Sequence, residues 1–291
     1  MEISFIGVGR MGGALALALS RLNYRVKNLV VRSRSAAEKI VGEINPPPQI
    51  LDFEEIENLS PADLIFITTR DGEIEPAARH LAEKLTFKPC VFHTSGSLSS
   101  EILQSLAEKG CSVASLHPLV SISDAHLGAE RFKNVFFCIE GDAEATAIAQ
   151  KIVDDLGGRA FSIETRFKPL YHASAVTSAG HLTALFSVAV EMLSACGLSP
   201  SEAQKILLPL ARSTIENLSA QTPAAALTGT FARADTETLK KHLKAVRESV
   251  SGEARQVYLQ LGLRSLHLAQ EQGAAEEKLS EMREILRAEN K

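Results

Sequence analysis

The chain opens on the strand-like run EISFIG, breaks into glycines at Gly7, Gly9 and Gly12, and continues as the helix-like run MGGALALALSRLN. No other stretch restricts the fold as tightly. The first glycine of G-x-G-x-x-G allows a tight turn after a strand. The second removes a side chain where a phosphate must approach, and the third lets the helix pack against the sheet. Free backbone N–H groups and the helix dipole then point at the same place, which suits an anion. The segment Gly7, Val8, Gly9, Arg10, Met11 and Gly12 therefore reads as the diphosphate loop of a dinucleotide site.

Such a loop requires βαβ units around it, and the first 165 residues supply them. RVKNLVVRS, ADLIFITT, PCVFHTSG, SVASLHPL and NVFFCIEG read as strands. SAAEKIVGEI, EIEPAARHLAEKL, SSEILQSLAEKG and AEATAIAQKIVDDLGG read as helices between them. Alternation of this kind predicts an α/β fold with a doubly wound, mainly parallel sheet. Beyond about residue 165 the strand signal ends and helical spacing takes over. The expected organisation is a dinucleotide-binding domain over 1–165 and an all-helical domain over 166–291, with a substrate cleft between them. Tyr171–Gly197 is the most apolar long stretch, but it holds two histidines, a glutamate and several serines. It is expected to be a buried central helix, not a membrane span.

In a dinucleotide site the end of the second strand commonly carries an acid for the adenine ribose. Here it reads Arg32, Ser33, Arg34. Arginine offers forked donors to a phosphate dianion and can stack on adenine, so this segment predicts NADP as cofactor, with Arg34 the first choice for the 2′-phosphate. Thr68, Thr69 and Arg70 end the LIFITT strand and are expected on the adenosine or diphosphate side. His93, Thr94, Ser95 and Gly96 end another strand and are expected to line the nicotinamide pocket.

Composition excludes several other classes. A net charge of −4 over 291 residues with 23% charged residues offers no footprint for nucleic acid. Cys90, Cys111, Cys138 and Cys196 have no C-x-x-C spacing and read as reduced thiols of a cytoplasmic protein. The histidines and cysteines are dispersed, so no metal site is expected, and no signal-peptide pattern precedes the first strand.

IGVGRMG, HTSGSLSSEIL, SLHPL, FFCIEGD, KPLYHASAV and LTGTFARAD together resemble a Rossmann-like oxidoreductase family whose C-terminal helical domain has no known function. The resemblance runs from the start of the chain to about residue 240. The family is similar to prephenate dehydrogenase, pyrroline-5-carboxylate reductase, ketopantoate reductase and the β-hydroxyacid dehydrogenases. That kinship implies NADP binding and hydride transfer, but no substrate. The β-hydroxyacid dehydrogenases carry a catalytic lysine with an asparagine four residues later; this chain has Lys168 and then His172.

Lys168 and His172 lie at helical i, i+4 spacing, on one face. Either could handle the proton that accompanies hydride transfer. His117 and Pro118 end a strand at the sheet's carboxyl edge and are expected to contact substrate or lie on the nicotinamide side; a similar His-Pro pair occurs in prephenate dehydrogenase. Arg233, in the non-helical stretch LTGTFARAD, could clamp a carboxylate or phosphate, while Asp235 is a candidate N-cap. The expected protein is an NADP(H)-dependent oxidoreductase acting on a small, anionic substrate, homodimeric through its helical domain. The alternative is an NADP-binding sensor without turnover.

Overall fold

The computed structural model describes residues 1–290, with Ala36 described by its backbone alone. The chain forms two compact units, Met1–Ala179 and a second from Gly180 onward. The first unit runs past the expected break at 165 because the helix that begins at Lys168 is tied into the sheet by its own side chains.

Eight strands build that sheet: β1 (Glu2–Ile6), β2 (Arg25–Val31), β3 (Gln49–Asp52), β4 (Leu64–Ile67), β5 (Cys90–His93), β6 (Val113–Pro118), β7 (Phe136–Gly141) and β8 (Arg159–Phe161). Their order is β3-β2-β1-β4-β5-β6-β7-β8. Every neighbouring pair is parallel except β6 and β7, where Ser115 stands opposite Glu140 and His117 opposite Cys138. The helices are α1 (Arg10–Ser20), α2 (Arg34–Val41), α3 (Asp71–Lys84), α4 (Gln104–Ala107), α5 (Ala125–Ala129), α6 (Ala143–Asp155) and α7 (Lys168–Val176).

Both faces of the sheet are covered, so central strands such as LIFI are apolar throughout. Phe5 stacks on Phe66 at 5.0 Å, and Phe66 meets Phe92 edge-on at 5.5 Å, forming a spine across β1, β4 and β5. The strand order reverses direction between β1 and β4, where open α/β sheets bind ligands at the strands' carboxyl ends. SSEILQSLAEKG, expected as one helix, is a 3-10 turn over Ser100–Leu103 followed by the single-turn α4.

The second unit contains α8 (Leu182–Ser194), α9 (Pro200–Ala220), α10 (Pro223–Ala226), α11 (Gly229–Ala232), α12 (Thr236–Ser249), α13 (Gly252–Glu271) and α14 (Glu276–Glu289). Leu239, Leu243, Leu259, Leu266, Leu279, Met282 and Leu286 form its core. Ser199 and Glu202 form a reciprocal cap at the start of α9. The stretch LTGTFARAD, expected to be non-helical, is corrected: it contains the one-turn helix α11, entered at Gly229 with φ +82°. Asp235 caps α12 by accepting from Thr238 N at 3.0 Å.

The buried central helix is also corrected. The run from Thr165 to Ser194 is long and apolar enough to cross a membrane by composition, but a π turn over Thr177–His181 interrupts it. None of the α8 side chains is buried within the chain, and Leu182 and Leu185 are exposed. Helical periodicity reports which residues are apolar, not what covers them.

Candidate functional site

The glycine loop joins β1 to α1 as its three roles require. Gly7 has φ +92°, a left-handed conformation that glycine adopts without strain, and its N–H donates to Val30 O at 2.8 Å. At Gly9, the N-cap of α1, an added Cβ would meet nothing within 4 Å, and no side chain caps the helix. Space and unpaired N–H donors therefore coincide where a diphosphate would sit. At Gly12 an added Cβ would collide with Thr68 Oγ1 and Gly7 O. Thr68 Oγ1 donates to Gly7 O, so this residue holds the loop against β4.

The loop opens onto a cavity of about 530 Å³ lined by Ile6–Gly9, Val30–Ser33, Phe53, Thr68–Arg70, Gly72, Glu73, Pro76 and Ala77. The buried Thr69 Oγ1 in its wall has no protein partner. Val8, Arg32, Ser33, Thr68, Thr69 and Arg70 thus meet at one groove, while Arg10 and Met11 begin α1 beside it. Arg34 lies outside the wall. As the first residue of α2 it pairs with Asp52 and Glu55, each at 3.2 Å. Arg32 lines the groove and pairs with Glu73 at 2.7 Å. These residues fit a dinucleotide: the loop and the α1 N-terminus would hold its diphosphate, and Arg32 with Ser33 its adenosine end.

Further along the same edge, β5, β6 and α7 bring together a second group. His93 is fully buried, and its pKa is pushed down to about 4 by burial and by the charge of Lys168. Its Nδ1 accepts from Ser95 N at 3.2 Å, which leaves Nε2 to donate to Ser99 O at 3.1 Å. His93 therefore shapes the Thr94–Gly96 turn from within. An added Cβ at Gly96 would lie 2.7 Å from His172 Cδ2 and 2.8 Å from His117 Cε1.

His117 Nδ1 and Tyr171 Oη share a hydrogen bond of 2.6 Å. The His117 ring stands edge-on to Tyr171 at 5.5 Å and to His172 at 6.0 Å. Burial, then the Lys168 charge, push the His117 pKa down to about 4, so its imidazole is neutral at pH 7. Burial raises the Tyr171 pKa. Pro118 is buried at the end of β6.

Lys168 is fully buried. Its Nζ donates to Ser115 Oγ, to Ser95 O at 3.4 Å and to Glu140 Oε1 at 3.5 Å. Glu140 also accepts from Ser100 N at 2.9 Å and Ser100 Oγ at 2.7 Å. Burial lowers the Lys168 pKa, and the Glu140 carboxylate opposes that shift. Sequence reasoning missed Ser115, Glu140, Tyr171 and Glu73. Ser115 precedes His117 by two in one strand and so shares its face, a signal available in the sequence. Glu140 reaches Lys168 only through the antiparallel register of β7. Arg233 is exposed in the second unit, at the end of α11, and neither unit's fold by itself brings it to these residues.

Residues 1–118 match the model of a Rossmann-like domain, and residues 135–265 match that of DUF2520, a domain of unknown function. The chain joins a Rossmann-like domain to a DUF2520 domain. No curated protein matches it in sequence. Among solved structures it is similar to BF3122 from Bacteroides fragilis, provisionally assigned as an NADP oxidoreductase, at 22% identity and TM-score 0.73, covering 91% of this chain and 97% of that one. It is also similar to pyrroline carboxylate reductase from Plasmodium falciparum with NADP bound, at 12% identity and TM-score 0.57, covering 92% and 98%. A third is prephenate dehydrogenase from Aquifex aeolicus in complex with hydroxyphenyl propionate and NAD+, at 15% identity and TM-score 0.51, covering 100% and 92%. At these identities the likeness establishes the fold shared by the Rossmann-like and DUF2520 halves.

Proposed function

We propose that the protein is an NADP(H)-dependent oxidoreductase that passes a hydride to or from a small, anionic substrate. One observation carries this reading: a diphosphate cradle and a proton-handling cluster lie along the same carboxyl edge of one sheet. β6 stands three strands from β1, or ~14 Å at ordinary strand spacing. A dinucleotide with its diphosphate at the glycine loop can span that interval, bringing its nicotinamide toward Thr94–Gly96 and His117.

Bound NADP(H) supplies or accepts the hydride. His172 handles the proton at the reacting carbon's oxygen or nitrogen. His117, held neutral with Nδ1 engaged by Tyr171, presents Nε2 to orient the substrate. Lys168 acts from behind through its charge, because its ammonium is committed to Ser115, Ser95 and Glu140.

The test follows NADPH absorbance across small keto acids and imines. Consumption that falls about 10²- to 10⁴-fold in His172→Ala and His117→Ala supports the enzyme. The burial of Lys168 favours a second reading, an NADP sensor. Tight NADPH binding with no consumption by any candidate substrate would select it.

The exposed apolar side chains Leu182 and Leu185 on α8, and Ile206, Leu210 and Ile215 on α9, are assigned to a second copy of the chain. Light scattering at micromolar concentration should therefore give a dimer; a monomer overturns the assignment.

A further inference from the structure

The groove's adenosine end holds an ion pair that any 2′-phosphate must confront. Arg32 Nη1 lies 2.7 Å from Glu73 Oε1, and both residues line the cavity. The Glu73 backbone is fixed in a helix. It sits in the first turn of α3, its N–H donates to Arg70 O at 2.8 Å, and its side chain is 29% exposed. The Arg32 side chain is 73% exposed and can turn away from it. Arg34 is no substitute, being engaged by Asp52 and Glu55 outside the wall. Arg70, the N-cap of α3, lines the same cavity three residues before Glu73.

Ser33 completes the setting. Its hydroxyl, at the N-cap of α2, pairs with Ser35 Oγ at 2.8 Å among the described residues. Hydroxyl donors and helix N–H groups therefore already suit a phosphate at this end, whereas the guanidinium does not yet face it.

We infer that Glu73 determines the preference between NADPH and NADH by competing with the 2′-phosphate for Arg32. The inference rests on the cofactor reading above. NADH leaves the Arg32–Glu73 pair intact. NADPH requires Arg32 to exchange a carboxylate for a phosphate, after which the Glu73 carboxylate faces a dianion. Glu73 thus weakens NADPH binding and leaves NADH binding unaffected.

The experiment titrates NADPH and NADH into the full-length parent, Glu73→Gln, Arg32→Gln and the double variant, following nucleotide fluorescence. Glu73→Gln should bind NADPH about two- to fivefold more tightly, the range expected for releasing an exposed ion pair, with NADH unchanged. In the Arg32→Gln background the same substitution should have no such effect, because the contested cation is gone. Weaker NADH binding in Glu73→Gln overturns the inference, since Glu73 would then be a ribose ligand. Unchanged affinity for both nucleotides also overturns it, while leaving the cofactor reading intact. A parent that binds neither nucleotide overturns the cofactor reading and this inference with it.

Discussion

Gly12→Ala should lose stability and nucleotide binding together, whereas Gly9→Ala should lose binding and keep the fold. Both substitutions add one methyl to the same loop, so the contrast isolates position. At Gly12 the methyl meets Thr68 Oγ1 and the Gly7 carbonyl, a short side chain and a backbone atom that cannot swing aside. Overpacking of this kind costs about 1–3 kcal/mol, or a fall in melting temperature of roughly 4–8 °C for a mid-range value. It also pushes α1 off the sheet and misaims the N–H groups that would hold the diphosphate.

At Gly9 the methyl enters open space, and φ −84° is ordinary for any residue. The stability cost should not exceed about 1 kcal/mol, the loss of a favourable capping residue. Nucleotide affinity should nevertheless fall about ten- to a hundredfold, because that open space is where phosphate must approach. Thermal melts beside NADPH titrations check both variants. Undiminished NADPH affinity in Gly9→Ala would remove the loop from the cofactor site.

Lys168→Ala should be the most destabilising single change at the site. Removing one partner of a buried pair leaves the other charge uncompensated, at a cost of about 3–5 kcal/mol. Glu140 keeps its bonds from Ser100 N and Oγ, which places the expected loss toward the lower end. Lys168→Met with Glu140→Gln retains volume and removes both charges, and should recover much of the stability in denaturant unfolding. The double variant has a second readout. Burial and the Lys168 cation together hold the His117 pKa near 4. Without the cation it should move upward toward the ordinary histidine value, visible in an NMR titration of the His117 ring. A folded double variant whose His117 titrates as in the parent would show that Lys168 exerts no charge effect on the site.

The parts legible in the sequence are those set by local rules. Gly7, Gly9 and Gly12 meet their three requirements within one turn, and alternating strands and helices led to the doubly wound sheet. What escaped depends on partners distant in the chain. Lys168 read as a proton-handling candidate, and its burial escaped because no neighbour in sequence explains a buried ammonium; its partners Ser115 and Glu140 arrive through β6 and the reversed β7. The preference for Arg34 over Arg32 followed from flanking serines, but Asp52 and Glu55 draw Arg34 away from the groove, and Glu73 could not be seen beside Arg32. Apolar spacing identified the long helix around residue 182, yet coverage is a property of the assembled surface and not of the stripe.

Gly96 has a consequence for how such a site can vary. Both imidazoles, His117 and His172, occupy the room one methyl at Gly96 would need. A side chain at this position would have to displace both rings. The tolerance of the whole cluster is concentrated at one position, where the constraint is that nothing be added.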